Sequence, residues 1–175
     1  MKLPATHLRR AIEVEGWLEL GRPERALAGL APLLETPGAR PTGLMLKLRA
    51  EMDLRRFAEA LRTIAELRHF GEDLESLDVH EGWCKKRLGD LDGAIQAMQR
   101  LLARDRRSAI GLYNLGCYLA LRGELEAALE FVTRACGMDP TFREHAADES
   151  DLDPLRDDPR FRQLLAPRDE PRDLT

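Results

Sequence analysis

Ala26, Ala60, Ala94 and Ala128 stand 34 residues apart along the chain. Leu27, Leu61, Ile95 and Leu129 follow them, and Leu30, Ile64, Met98 and Val132 share a later phase. So do Leu33, Leu67, Leu101 and Ala135. Five residues before each alanine lie Gly21, Arg55, Gly89 and Gly123, three of the four being the residue a tight inter-helix turn prefers. This register constrains everything else. A two-helix unit of such length cannot bury its own apolar faces and must lean on neighbours of its kind.

Within each copy the apolar residues recur at helical rather than strand spacing. Helices are expected over Leu8–Leu20 and Pro23–Leu34, then Thr42–Leu54 and Phe57–His69. Two further pairs are expected over Leu74–Leu88 and Leu91–Ala103, and over Ile110–Leu121 and Leu125–Cys136. Thr6 is the candidate cap of the first helix. Pro23 suits the first turn of the second, and Pro32 should kink or shorten its end. Thr36–Pro41 reads as a linker. No segment alternates with a period of two, so no strand is expected, and the short connections make successive helices antiparallel.

Composition supports a helical chain with a real core: 175 residues, 43% apolar, 33% charged and 5% aromatic. A net charge of −4 offers no electrostatic case for nucleic acid or an anionic membrane. The excess is local: Glu144–Thr175 carries net −5 and the rest of the chain +1. Cys84, Cys117 and Cys136 lie within helical patterns with no CxxC spacing, which fits half-buried thiols in a reducing compartment. The first residues hold no apolar run of signal-peptide length, and none of the chain reaches 18 apolar residues in a row. A cytoplasmic location is expected.

A helix–turn–helix repeat of this period resembles the tetratricopeptide repeat. The likeness is strongest in the fourth copy, where Gly116 takes the small first-helix position and Leu112 and Leu119 the large ones. Ala128, Val132, Ala135 and Pro140 complete it. The third copy keeps Gly82, Ala94 and Met98 but sets Glu81 and Lys85 where apolar residues are usual; the first two put Val14 and Leu48 at the small position. The resemblance implies an all-α, right-handed α-solenoid over residues 7–142, in repeats 7–40, 41–74, 75–108 and 109–142. Residues 143–166 are expected to form capping helices, similar to the element that closes many bacterial arrays of this family. Leu152, Leu155, Phe161, Leu164 and Leu165 would fold over the last repeat, and Asp153-Pro154 and Asp158-Pro159 read as caps followed by a first-turn proline. Residues 1–6 and 167–175 are expected to be disordered.

Catalytic patterns are missing. The glycines form no GxGxxG or GxxxxGK[ST] loop. His7, His69, His80 and His145 lack metal spacing; His80 and Cys84 share a helix face but make only two ligands of a site that needs more. The acids of 148–158 lack the alternation and central glycine of a calcium loop. No metal, cofactor or enzymatic activity is expected.

Stacked hairpins rotate slightly at each step and leave a concave face lined by first helices. By resemblance that face carries Met45, Arg49 and Met52 from the second copy, Val79, Trp83 and Lys86 from the third, and Tyr113 and Cys117 from the fourth. Aromatics, Met and Arg suit an adaptable interface. Tyr113 and Trp83 could equally fill space between hairpins. The peptide-carboxylate grip found in the chaperone-binding branch is not expected, since its positions hold Ala11 and Glu15. The expected function is a non-catalytic protein–protein interaction module that docks a peptide or helix of a partner in the groove. The alternative is a structural subunit that self-associates or packs into a larger assembly, with Leu8 and Ile12 at a candidate edge. A monomer or weak homodimer is expected.

Overall fold

The computed structural model describes residues 4–71 and 73–166, and among these all regular structure is helical. The helices are α1 Ala5–Glu19, α2 Pro23–Ala28, α3 Ala31–Leu34, α4 Arg40–Asp53, α5 Phe57–Arg68 and α6 Leu74–Arg87. They continue as α7 Leu91–Arg104, α8 Ala109–Arg122, α9 Leu125–Met138, α10 Thr141–Asp148, a 3-10 helix Ser150–Leu155, and α11 Pro159–Leu165. The chain divides into two compact units, Met1–Ala94 and Ile95–Thr175, with the boundary inside α7.

The 34-residue register is visible in the backbone. Gly21, Arg55, Gly89 and Gly123 all take positive φ, at 63°, 58°, 82° and 89°. Behind each, one bond closes the preceding helix: Arg22 N–H donates to the Trp17 carbonyl, Arg56 to Glu51, Asp90 to Lys85 and Glu124 to Leu119, all at 2.8–2.9 Å. These are Schellman closures, repeated copy after copy. Ala26, Ala60, Ala94 and Ala128 are each fully buried. Arg55 alone holds this turn with a side chain, in a region that costs an L-residue about 1–2 kcal/mol. Arg55→Gly is therefore expected to stabilise the fold by about 0.5–1 kcal/mol, after the extra chain entropy of glycine. Denaturant midpoints read this directly, and a fall in midpoint would show that the exposed Arg55 side chain contributes more than its conformation costs.

In unit 1, two clusters make the core. One gathers Val14, Leu18, Ala26, Leu30 and Leu33 with Ala50. The other gathers Leu44, Leu48, Phe57, Ile64, Leu67 and Leu77 with Cys84. The expected helix 23–34 is broken rather than kinked: α2 ends at Ala28 and α3 begins at Ala31. Pro32 has no N–H to give the Ala28 carbonyl, and its ring crowds that group. The expected linker is also shorter, because Pro41 starts α4 in its first turn instead of ending the loop. Thr6 lies inside α1, which Pro4 precedes, so it caps nothing and Ala5 and Thr6 are ordered. The disorder expected for residues 1–3 and 167–175 falls outside the described residues.

Polar groups hold the unit 1 helices together where the repeat pattern would place carbon. Glu51 and Thr63 are buried, and Thr63 Oγ1 donates to Glu51 Oε2 at 2.7 Å while Lys47 Nζ reaches both. Arg68 of α5 joins α6 by donating to buried Asp78 at 2.5 Å and to Glu81 at 2.6 Å. Lys85 pairs with the same Glu81 at 2.9 Å. The charged Glu81 and Lys85 of the third copy thus satisfy each other and Arg68, and packing is not lost at those positions.

Unit 2 is centred on α8, which is buried from Gly111 to Ala120 except for half-buried Asn114. It packs on α9, the 3-10 helix lies against it, Phe142 of α10 reaches it, and α11 packs on α10. Leu152, Leu155 and Phe161 are fully buried, while Leu164 and Leu165 are half-buried. Pro154 lies within a 3-10 turn and does not open an α-helix. Asp158 does cap α11, its Oδ1 accepting from Arg160 N–H at 2.8 Å. The Arg160 guanidinium beside it holds the Asp158 carboxyl down at about 2.

Candidate functional site

The first-helix positions of unit 1 bring three of the expected residues together. Met45, Arg49 and Met52, at successive turns of α4, line a single recess of about 450 Å³. Leu46 and Leu48 supply apolar lining, Glu15 comes from α1, Asp53 from the end of α4 and His80 from α6. Met45 is 39% exposed, whereas Met52 leans on the core. An unbranched, polarisable side chain of this kind fits itself to whatever enters.

The recess carries more acidic than basic side chains. Arg49 donates to Glu19 of α1 at 2.7 Å, a bond that raises the guanidinium pKa. With its cation engaged and Glu15 and Asp53 on the walls, the recess presents net negative charge. His80 is turned inward on its own helix, its Nδ1 donating to the Ser76 carbonyl at 2.7 Å. Spacing gave no signal for Asp53 or His80. Each lies one residue from an expected face position, Met52 or Val79, and an i, i+4 count passes them over.

Val79, Trp83 and Lys86 do not line this recess. All three are half-buried along α6. The Trp83 ring stands edge-on to Phe57 with centroids 5.1 Å apart, and Arg87 lies over it at 5.0 Å. Trp83 therefore fills space against the core as well as facing outward. Cys84, one residue on, is wholly buried; burial, with Glu51 and Glu81 near, pushes its thiol up to about 11 and leaves no reactive thiolate.

Tyr113 and Cys117 of unit 2 are not part of an open surface. They are 5% and 2% exposed. Phe142 of α10 stacks on Tyr113 with centroids 4.7 Å apart, so the capping element occupies the face these residues would have offered. Burial pushes the Tyr113 phenol far above its ordinary range. All three cysteines are buried. Among the described residues no group of three His, Cys, Asp or Glu side chains is placed to hold a metal, and no helix is long and apolar enough to cross a membrane.

Comparison with known proteins agrees with the helical-hairpin fold. Residues 82–141 match the tetratricopeptide repeat family model. Among solved structures, MamA residues 41 to the end from Desulfovibrio magneticus RS-1 superposes with a TM-score of 0.72 at 16% identity, over 94% of this chain and 96% of that one. A second MamA structure gives 0.65 at 16% identity, over 94% and 95%. YrrB, described as a tetratricopeptide-repeat protein with an unusual peptide-binding site, gives 0.62 at 16% identity, over 88% and 89%. At such identity the likeness is one of fold. No curated protein matches.

Proposed function

We propose, for what its register, its hairpins and the match over residues 82–141 make a tetratricopeptide-repeat protein, that unit 1 docks a segment of a partner protein in the Met45–Met52 recess. The gathering of Met45, Arg49 and Met52 on one recess carries this reading. Two adaptable thioethers over a leucine floor take an apolar side chain. Glu15 and Asp53 on the walls favour a lysine or arginine beside it on the partner. Val79, Trp83 and Lys86 extend the same surface along α6, where each lies a turn from the next. Tyr113 and Cys117 are left out of the proposed surface because α10 covers that side of α8. The chain acts as a scaffold by holding its partner, with no chemistry of its own.

Native purification with mass spectrometry identifies the partner, and Met45→Lys with Asp53→Lys, which removes an apolar contact and reverses a wall charge, tests the site. Both side chains are exposed, so helicity and melting temperature should hold. The double variant is expected to weaken the stoichiometric partner at least tenfold, about 1.4 kcal/mol. Undiminished affinity with helicity intact would remove the recess from the interface. Self-association is the second reading, supported by Leu8 at 49% and Ile12 at 61% exposure on α1 and Leu20 at 69% just past its end. A concentration-dependent mass in light scattering separates it from the first.

A further inference from the structure

Unit 2 carries a second surface, separate from the recess in unit 1 and argued from other residues. A recess of about 450 Å³ lies between α7 and α9 over α8, with Leu115, Leu119 and Phe131 in its lining. Another, of about 780 Å³, lies between α9 and α11, with Leu129 and Leu164. Ala127 and Arg134 of α9 belong to both. The two recesses thus adjoin along α9 and share these two side chains as lining.

Its charge is one-sided. Three acids stand on the rim, and each is already held: Glu124 by Arg122, Glu126 by Arg160 at 2.7 Å, and Glu130 by Arg134 at 3.7 Å. Arg106 in the first recess and Arg143 in the second have no acidic partner among the described residues. The Arg143 Nε is buried and finds no acceptor among the described residues. A buried donor without an acceptor is an unusual arrangement in a folded protein.

We infer that this surface takes an acidic amphipathic helix of another protein. Apolar side chains at i, i+3 or i+4 enter the recesses on the two sides of Ala127, and carboxylates on the flanks pair with Arg106 and Arg143. Nucleic acid is the poorer fit. The floor is aliphatic, the rim arginines are mostly neutralised, and the Phe131 ring that could stack a base has Arg134 over it at 5.5 Å.

Fluorescence anisotropy on the full chain tests this with three labelled probes: a 16-residue helical peptide with a Leu/Phe stripe flanked by Glu, the same stripe flanked by Lys, and a 20-nucleotide single strand of DNA. The acidic peptide is expected to bind saturably, while any binding of the basic peptide, whose charge suits the unit 1 recess, should be indifferent to Arg106→Glu. Arg106→Glu, at an exposed position that does not threaten folding, is expected to weaken the acidic peptide about tenfold. Arg143→Gln adds to that loss, and Met45→Glu in unit 1 changes nothing. No saturable binding of the acidic peptide, indifference of that binding to Arg106→Glu, an equal loss of the basic peptide on Arg106→Glu, or tighter binding of the DNA would each overturn the inference. Loss on Met45→Glu would also overturn it and move the peptide to the unit 1 recess.

Discussion

Phe161→Ala is expected to destabilise the chain by about 3–5 kcal/mol, the largest single effect at the C-terminal end. Phe161 is fully buried, and α11 around it has only seven residues. A helix that short does not hold itself in water. The visible polar ties are the Asp158 cap and the fork of Arg160 on Glu126, at 2.9 and 2.7 Å. Those ion pairs are exposed, and solvent screening leaves exposed pairs little net stabilisation. The apolar anchor must then carry the attachment, with the Arg156 guanidinium lying 5.7 Å from its ring centre. Urea denaturation separates the two terms: Arg160→Ala should shift the midpoint slightly, and Phe161→Ala severely. The reverse order would make α11 a charge-latched element, and its apolar packing incidental.

The cap also explains where sequence reading stops. Repeat register identifies equivalent positions, and at every copy it located the turn and the buried alanine correctly, Arg55 included. Equivalence of position is not equivalence of exposure. Tyr113 stands at a groove position by register, but the last copy is followed by a cap whose Phe142 stacks on it. Only an assembled end can reveal that. The charged residues were opaque for another reason. Asp78, Glu51 and Thr63 stand in register with Leu112, Leu119 and Ala97, and their burial as polar groups depends on Arg68 and Lys47 arriving from the neighbouring positions of adjacent turns and helices. Pairing of that kind has no period, so no spacing announces it. The recess in unit 1 was half legible: Met45, Arg49 and Met52 share one face of α4 by simple periodicity, whereas the acids that set its charge come from α1 and from the end of α4.

Glycine-to-alanine changes should have opposite signs at different places in these helices, which tests the hairpin packing itself. In a helix interior, alanine is favoured over glycine by about 1 kcal/mol. At Gly116 of α8, an added β-carbon would lie 2.6 Å from Val132 Cγ2, 3.0 Å from the Ala128 carbonyl oxygen and 3.1 Å from the Val132 nitrogen. Two of these are backbone atoms of α9, which cannot swing aside as a side chain does. The helices must part, and Gly116→Ala is expected to cost about 1–3 kcal/mol net of the propensity gain. Gly16 in α1 and Gly137 in α9 have nothing within 4 Å of the same added carbon. There the propensity term stands alone, and each substitution should stabilise by up to about 1 kcal/mol. Thermal melts of the three single variants give the signs. A Gly116→Ala protein as stable as Gly137→Ala would mean that α8 and α9 do not meet at this close approach, and the packing assigned to the fourth hairpin would fail with it.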